Sequence, residues 1–132
     1  MSDDFKVEIV NPERSFFLKD DVTEVVVPAY EGEMGILKDH ISIISFLKPG
    51  ILKVISKSNE EKFFVEDGIV EFKNNSLSIL TSKIFNLEKI DRDYINKTID
   101  TSEKELLEDN IDDQKRFLIS QKIDVLKAIS IN

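Results

Sequence analysis

Apolar and polar residues alternate at period two along the first two-thirds of the chain and shift to a helical period in the last third. Phe5, Val7 and Ile9 alternate with Lys6, Glu8 and Val10, which places one apolar face on a strand. Short apolar runs follow at residues 23–27, 41–47, 51–55, 62–65, 69–72 and 77–80. Turn chemistry separates them: Asn11-Pro12, Lys19-Asp20-Asp21, residues 31–35, Pro49-Gly50, Lys57-Ser58-Asn59, Asp67-Gly68 and Asn74-Asn75-Ser76. Short strands at nearly regular spacing, with no helical period among them, predict an antiparallel β-sandwich or barrel. Pro49-Gly50 has type II turn chemistry, with φ preset by proline and a positive φ accepted by glycine.

After Leu87 the period changes. Ile95, Ile99, Ser102 and Leu106 fall at offsets of four, three and four, on one helical stripe. Asp91 suits the N-cap of this helix and Asp93 its first turn. A polar break at Glu108-Asp109-Asn110 precedes Asp112-Asp113, which can cap a second helix carrying Ile119, Ile123, Leu126 and Ile129 on its stripe. Lys122 and Lys127 are expected near the end of that helix, where positive charge suits the dipole. The division is a β-sandwich over residues 1–87 and an antiparallel helical hairpin over 88–132. Each stripe is narrow, so the hairpin needs a surface to pack on.

Composition narrows the function classes. With 41% hydrophobic and 33% charged residues in 132, the chain reads as globular and long enough to bury a core. It has no Cys and one His, which excludes disulfides and thiolate catalysis and disfavours a zinc site. A net charge of -8 opposes binding to nucleic acid and to anionic lipid. No apolar run is long enough to span a membrane, and the start resembles neither a signal nor a transit peptide, so synthesis at the place of work is expected.

Catalytic chemistry is hard to place. The four glycines, Gly32, Gly35, Gly50 and Gly68, form neither a P-loop nor a dinucleotide-binding turn. His40 is the lone imidazole, and Ser42 and Ser45 near it lack the glycines of a nucleophile elbow. The acid pairs Asp20-Asp21, Glu60-Glu61 and Asp112-Asp113 read as solvated turns and caps rather than a tuned acid–base couple. The residues predict a binding module rather than an enzyme. Taken alone, they also leave open a stand-alone ligand- or protein-binding sandwich with a helical dimerisation tail.

One stretch is more specific. Pro28-Ala29-Tyr30-Glu31-Gly32-Glu33-Met34-Gly35-Ile36-Leu37-Lys38-Asp39-His40, then Leu47-Lys48-Pro49-Gly50-Ile51-Leu52, resembles the form E-G-E-x-G-I-L-x-x-H followed by L-K-P-G. That form belongs to the epsilon subunits of bacterial and chloroplast F-type ATP synthases. Phe17 and Leu18, and Glu66-Asp67-Gly68-Ile69-Val70-Glu71-Phe72, extend the resemblance over residues 5–87, while the hairpin matches in size and arrangement.

The resemblance implies a non-catalytic rotor subunit that joins the gamma subunit to the polar loops of the c-ring and restrains ATP hydrolysis through its hairpin. It implies a c-ring contact at Glu31, Gly32, Glu33, Met34 and His40. It gives the hairpin residues Ile95, Ile99, Leu106, Ile119, Ile123 and Leu126 a packing and regulatory role towards the alpha/beta catalytic head. It further implies a peripheral position on the cytoplasmic face of a bacterial inner membrane, or on the stromal face of a thylakoid. Two departures stand out. Lys38-Asp39 replaces the Pro-Gly often found before the His. The I-D-x-x-R-A pattern with which some members bind ATP keeps Ile90 and Asp91 but has Tyr94 and Ile95 in place of Arg and Ala. Tyr offers phosphate no cationic fork, and Arg92 lies about 200° away around the helix. No cofactor is therefore expected, and ATP binding to the hairpin is expected to be weak or absent.

Overall fold

The computed structural model describes residues 3–131, with nine strands and two helices among them. β1 (Phe5–Asn11) and β2 (Arg14–Ala29) open the fold as a hairpin. They are followed by β3 (Gly32–Leu37), β4 (Ile43–Leu47), β5 (Gly50–Ser56), β6 (Glu60–Val65), β7 (Gly68–Lys73), β8 (Ser76–Leu80) and β9 (Ile84–Asn86). One layer runs β1-β8-β7-β4 and the other β3-β2-β5-β6-β9. The 16-residue β2 serves both layers, pairing with β1 through its first half and with β3 and β5 through its second. The Ala29–Leu47 pairing closes the seam between β2 and β4. All pairings are antiparallel except β1 with β8, which is parallel. The inward faces meet in one core that includes Val7, Ile9, Val25, Leu52, Phe63 and Phe72. Phe72 meets Phe5, and Phe63 meets Phe17, edge to face.

Several turn expectations need correction. Lys19-Asp20-Asp21 is no turn but lies inside β2, where Phe5 and Val7 pair with Val22 and Lys19. The extra residue is a β-bulge, and its polar side chains face solvent, with Lys19 and Asp21 paired at 3.4 Å. Residues 32–35, expected as part of a turn, are edge strand, and the turn itself is only Tyr30-Glu31. Strand β4 starts at Ile43 rather than Ile41. Gly50 does not take the positive φ of a type II turn. Its Cβ would stand 2.5 Å from Pro28 Cβ, so glycine is needed there for close strand approach rather than for a turn. Gly68, at φ 153, has both reasons, since a Cβ would also meet the Leu80 carbonyl oxygen at 2.6 Å. Asn74 and Asn75 behave as their chemistry predicts, with both φ positive in a tight β7–β8 hairpin.

The helices are α1 (Arg92–Glu105) and α2 (Asp113–Ile131). Asp91 caps α1, its carboxylate accepting the Asp93 N–H at 3.0 Å, and Asp112 caps α2 by accepting the Lys115 N–H at 2.7 Å. Because α2 continues to Ile131, neither Lys122 nor Lys127 lies in its last turn, and their partners are side chains rather than the helix dipole. The hairpin lies on the outer face of β5, β6 and β9. There Phe64, Ile95 and Leu126 are fully covered, with Ile51, Phe85, Leu87 and Ile99 packed around them. Strand β6 therefore buries both faces: Phe63 points into the sandwich and Phe64 into the hairpin interface.

Candidate functional site

The β2–β3 turn presents Glu31 at one end of the sandwich. Gly32 at φ 135 closes this two-residue loop, a backbone conformation that side-chain-bearing residues rarely adopt. The Glu31 carboxylate accepts a hydrogen bond from the Ser45 hydroxyl at 3.1 Å, and the Tyr30 N–H donates to the Phe46 carbonyl at 3.0 Å. Both bonds tie the turn to β4.

The five residues expected at one contact surface do not form one patch. Met34 turns inward and packs on the core. Glu33 points outward on the hairpin side, where with Lys53, Lys62 and Ala128 it lines the groove beside α2. His40 lies at the other end, because the six residues of β3 carry the chain about 17 Å before it reaches that loop. There Asp39, at φ 66, and Asn75 exchange two hydrogen bonds of 2.7 and 2.9 Å, giving Lys38-Asp39 a defined shape without the Pro-Gly pair. The His40 Nδ1 bonds the Ile41 carbonyl at 2.7 Å, and its ring stands edge-on to Phe72. The Ser45 hydroxyl donates to Glu31 rather than to His40. Among the described residues no His, Cys, Asp or Glu side chains gather in a group that could hold a metal.

Next to the Glu31 turn lies a feature that the sequence reading missed. Phe46, Ile69 and Leu80 stand side by side across β4, β7 and β8 and are 58%, 40% and 48% exposed. Tyr30 and Pro12 extend this row into an apolar groove of about 550 Å³. Ile44, on the same strand face, is 68% exposed. The signal was present as inverted alternation in β4: Ser45 is buried while Ile44 and Phe46 face out. A solvated sheet face carries polar residues at such positions, so an apolar row marks a surface built to be covered.

On the hairpin, Ile95, Ile119, Ile123 and Leu126 are buried, whereas Ile99 and Leu106 are half-buried. The Asp91 carboxylate is engaged in its cap, and the Tyr94 ring stacks on Phe85 with centroids 4.7 Å apart. Ile90 packs into the hairpin interface.

Comparisons with known proteins agree with this architecture. The family described as "ATP synthase, Delta/Epsilon chain, beta-sandwich domain" matches residues 4–86. The ATP synthase epsilon chain of Pelagibacter ubique (strain HTCC1062) is 64% identical over 130 residues, covering 98% of this chain and 100% of that protein. The ATP synthase epsilon chain of Rhizobium etli (strain CIAT 652) is 35% identical over 107 residues, covering 80% of this chain and 78% of that protein. Among solved structures, a chain of the Euglena gracilis mitochondrial ATP synthase (OSCP/F1/c-ring, rotational state 1) superimposes with a TM-score of 0.77 at 19% identity. The superposition covers 97% of this chain and 82% of that one, a likeness of fold.

Proposed function

This chain belongs to the ATP synthase delta/epsilon family, as a non-catalytic epsilon subunit of the F-type enzyme, and from that premise we propose that it couples the gamma subunit to the c-ring in the central stalk. The observation that carries this reading is the exposed row Phe46, Ile69 and Leu80 beside the Glu31 turn. The apolar row is the docking face for gamma, where large side chains displace water over a flat sheet and supply affinity. The Glu31-Gly32 turn at its rim meets the polar loops of the c-ring, where a carboxylate sets register more than strength. Glu33 and Met34, on β3, and His40, beyond its far end, point away from that turn and contribute to the contact only through the strand and loop they stiffen.

The hairpin is a regulatory arm. Resting on β5, β6 and β9 it leaves hydrolysis free, and released from them it reaches the catalytic head and restrains it. Its tie to the sandwich includes only a small covered cluster around Phe64, the kind of packing a partner surface can replace. The hairpin takes no ATP, because Asp91 is spent as a cap and Tyr94 is spent on Phe85. Among the described residues no helix is long and apolar enough to cross a membrane, and the likeness to bacterial epsilon chains supports a peripheral position on the cytoplasmic face of a bacterial inner membrane.

Binding to a purified gamma subunit tests the docking face. Phe46→Glu should weaken binding by at least about tenfold, as the loss of a central interface anchor does. Its thermal midpoint should stay near that of the wild type, since the side chain is already exposed. Unchanged affinity would place gamma on another face.

A further inference from the structure

We propose that Glu66, in the loop between β6 and β7, is the latch that holds the hairpin against the sandwich, through an ion pair with Lys122 of α2. This deepens the reading of the hairpin as a releasable arm and rests on it. The Glu66 carboxylate lies 3.5 Å from the Lys122 ammonium and 3.7 Å from that of Lys83. Burial separates this contact from the other ion pairs of the helices. The Lys122 and Glu66 side chains are 18% and 15% exposed, whereas Lys104–Asp100 and Lys127–Glu103 are each more than half exposed and lie within the hairpin. A largely covered pair is screened less by water and salt, and removing one partner leaves the other's charge poorly solvated and uncompensated.

The loop that presents Glu66 is pinned. The Asp67 carboxylate accepts bonds from the Ser82 hydroxyl at 2.9 and 3.1 Å, and the Asp67 carbonyl accepts one from the Thr81 hydroxyl at 2.7 Å. Glu66 is thereby held in place before the helix arrives, which lowers the ordering cost of the pair. Around the pair, Lys97, Glu105 and Tyr94 line a polar cleft of about 320 Å³ between the helices and the loop. At its wall the Ser102 hydroxyl is buried with no hydrogen-bond partner among the described residues. A seam with an open cleft opens more readily than a packed core, which suits a latch. On its other side the same loop lines the apolar groove: Asp67 and Gly68, with the Ser82 that bonds Asp67, share that groove with Ile69 and Leu80. A protein seated there touches the loop that carries the latch.

The test is hydrogen exchange on the full chain, compared among wild type, Glu66→Gln, Lys122→Gln and the charge swap Glu66→Lys/Lys122→Glu made together with Lys83→Gln, because Lys83 already faces position 66. Either single variant should speed exchange at α2 amides about tenfold while core-strand amides stay as in wild type, and the swap should restore most of the protection. Unchanged exchange in the singles, or a swap that opens as readily as they do, would overturn the latch. ATP hydrolysis by synthase reassembled with each variant separates this from the regulatory reading. Faster exchange with unaltered hydrolysis leaves the latch standing and removes the regulatory arm, whereas slow exchange in the singles removes the latch whatever hydrolysis does.

Discussion

Phe63 and Phe64 are neighbours on one strand, and they belong to two different kinds of structure. Phe63 sits among Phe16, Phe17 and the closed core of the sandwich, where side chains from two layers interdigitate around it. Phe64 faces the hairpin, where among the described residues Ile95 and Leu126 complete the fully covered cluster and the apolar residues packed around it are partly exposed. The first region has a single way to bury its surface. The second is a patch that two helices cover with a narrow stripe, held at one edge by Glu66 and Lys122. One strand thus locks a closed core with one face and carries a lightly covered seat for the hairpin with the other.

Substitution at the two neighbours should break this symmetry most visibly. Phe63→Ala should cost about 3–5 kcal/mol of unfolding free energy, measured by denaturant titration, because it opens a cavity that the two layers cannot collapse. Phe64→Ala should leave the cooperative sandwich transition much closer to wild type and act mainly on α1 and α2, whose amides should lose exchange protection. Equal losses in the two variants would make the hairpin part of a single cooperative core.

A smaller effect separates two positions on one helix. Ile95 is 2% exposed and Ile99 only half-buried, so Ile95→Asp should detach the hairpin more completely than Ile99→Asp. Far-UV circular dichroism and hydrogen exchange along α1 would show the ranking, and the reverse order would misplace the helix face. The smallest expected signal is calorimetric: titration of the full chain with ATP should show no micromolar binding, because Tyr94 supplies no cation and Asp91 is committed to its cap. A micromolar dissociation constant would show that Lys97, Lys83 or Lys122 substitutes for the missing Arg.

How much of this was legible in the sequence depends on whether a residue's role is local. The β-to-α division, both helix caps and the Asn74-Asn75 hairpin could be read directly, because period and turn chemistry are set by near neighbours. The bulge at Lys19-Asp20-Asp21 could not, since a polar triplet in an edge-exposed bulge looks like a turn until its pairing with β1 is known. Gly50 was read for its φ when its role is contact with Pro28, across the sheet and far away in sequence. Glu31 and His40 stand apart for the same reason: glycines at 32 and 35 suggest a turn, and the strand that runs through them instead puts the two residues at opposite ends. The apolar row across β4, β7 and β8 was hidden because it assembles from three segments, although the inverted alternation at Ile44, Ser45 and Phe46 pointed to it.

The contrast between a self-sufficient sandwich and a seated hairpin is tested most directly by truncation after Lys89. The remaining chain keeps all nine strands and the closed core, and loses the cover over Phe64, Phe85, Leu87 and Ile51 together with the Glu66–Lys122 pair. It should still unfold cooperatively in circular dichroism, with a thermal midpoint lowered by only several degrees, about what the loss of 1–2 kcal/mol produces. It should bind gamma as the full chain does, and the reassembled synthase should hydrolyse ATP at an equal or higher rate. A truncated chain that is unfolded, or that folds and yet fails to bind gamma, would contradict the account and make the hairpin a structural half of the adaptor.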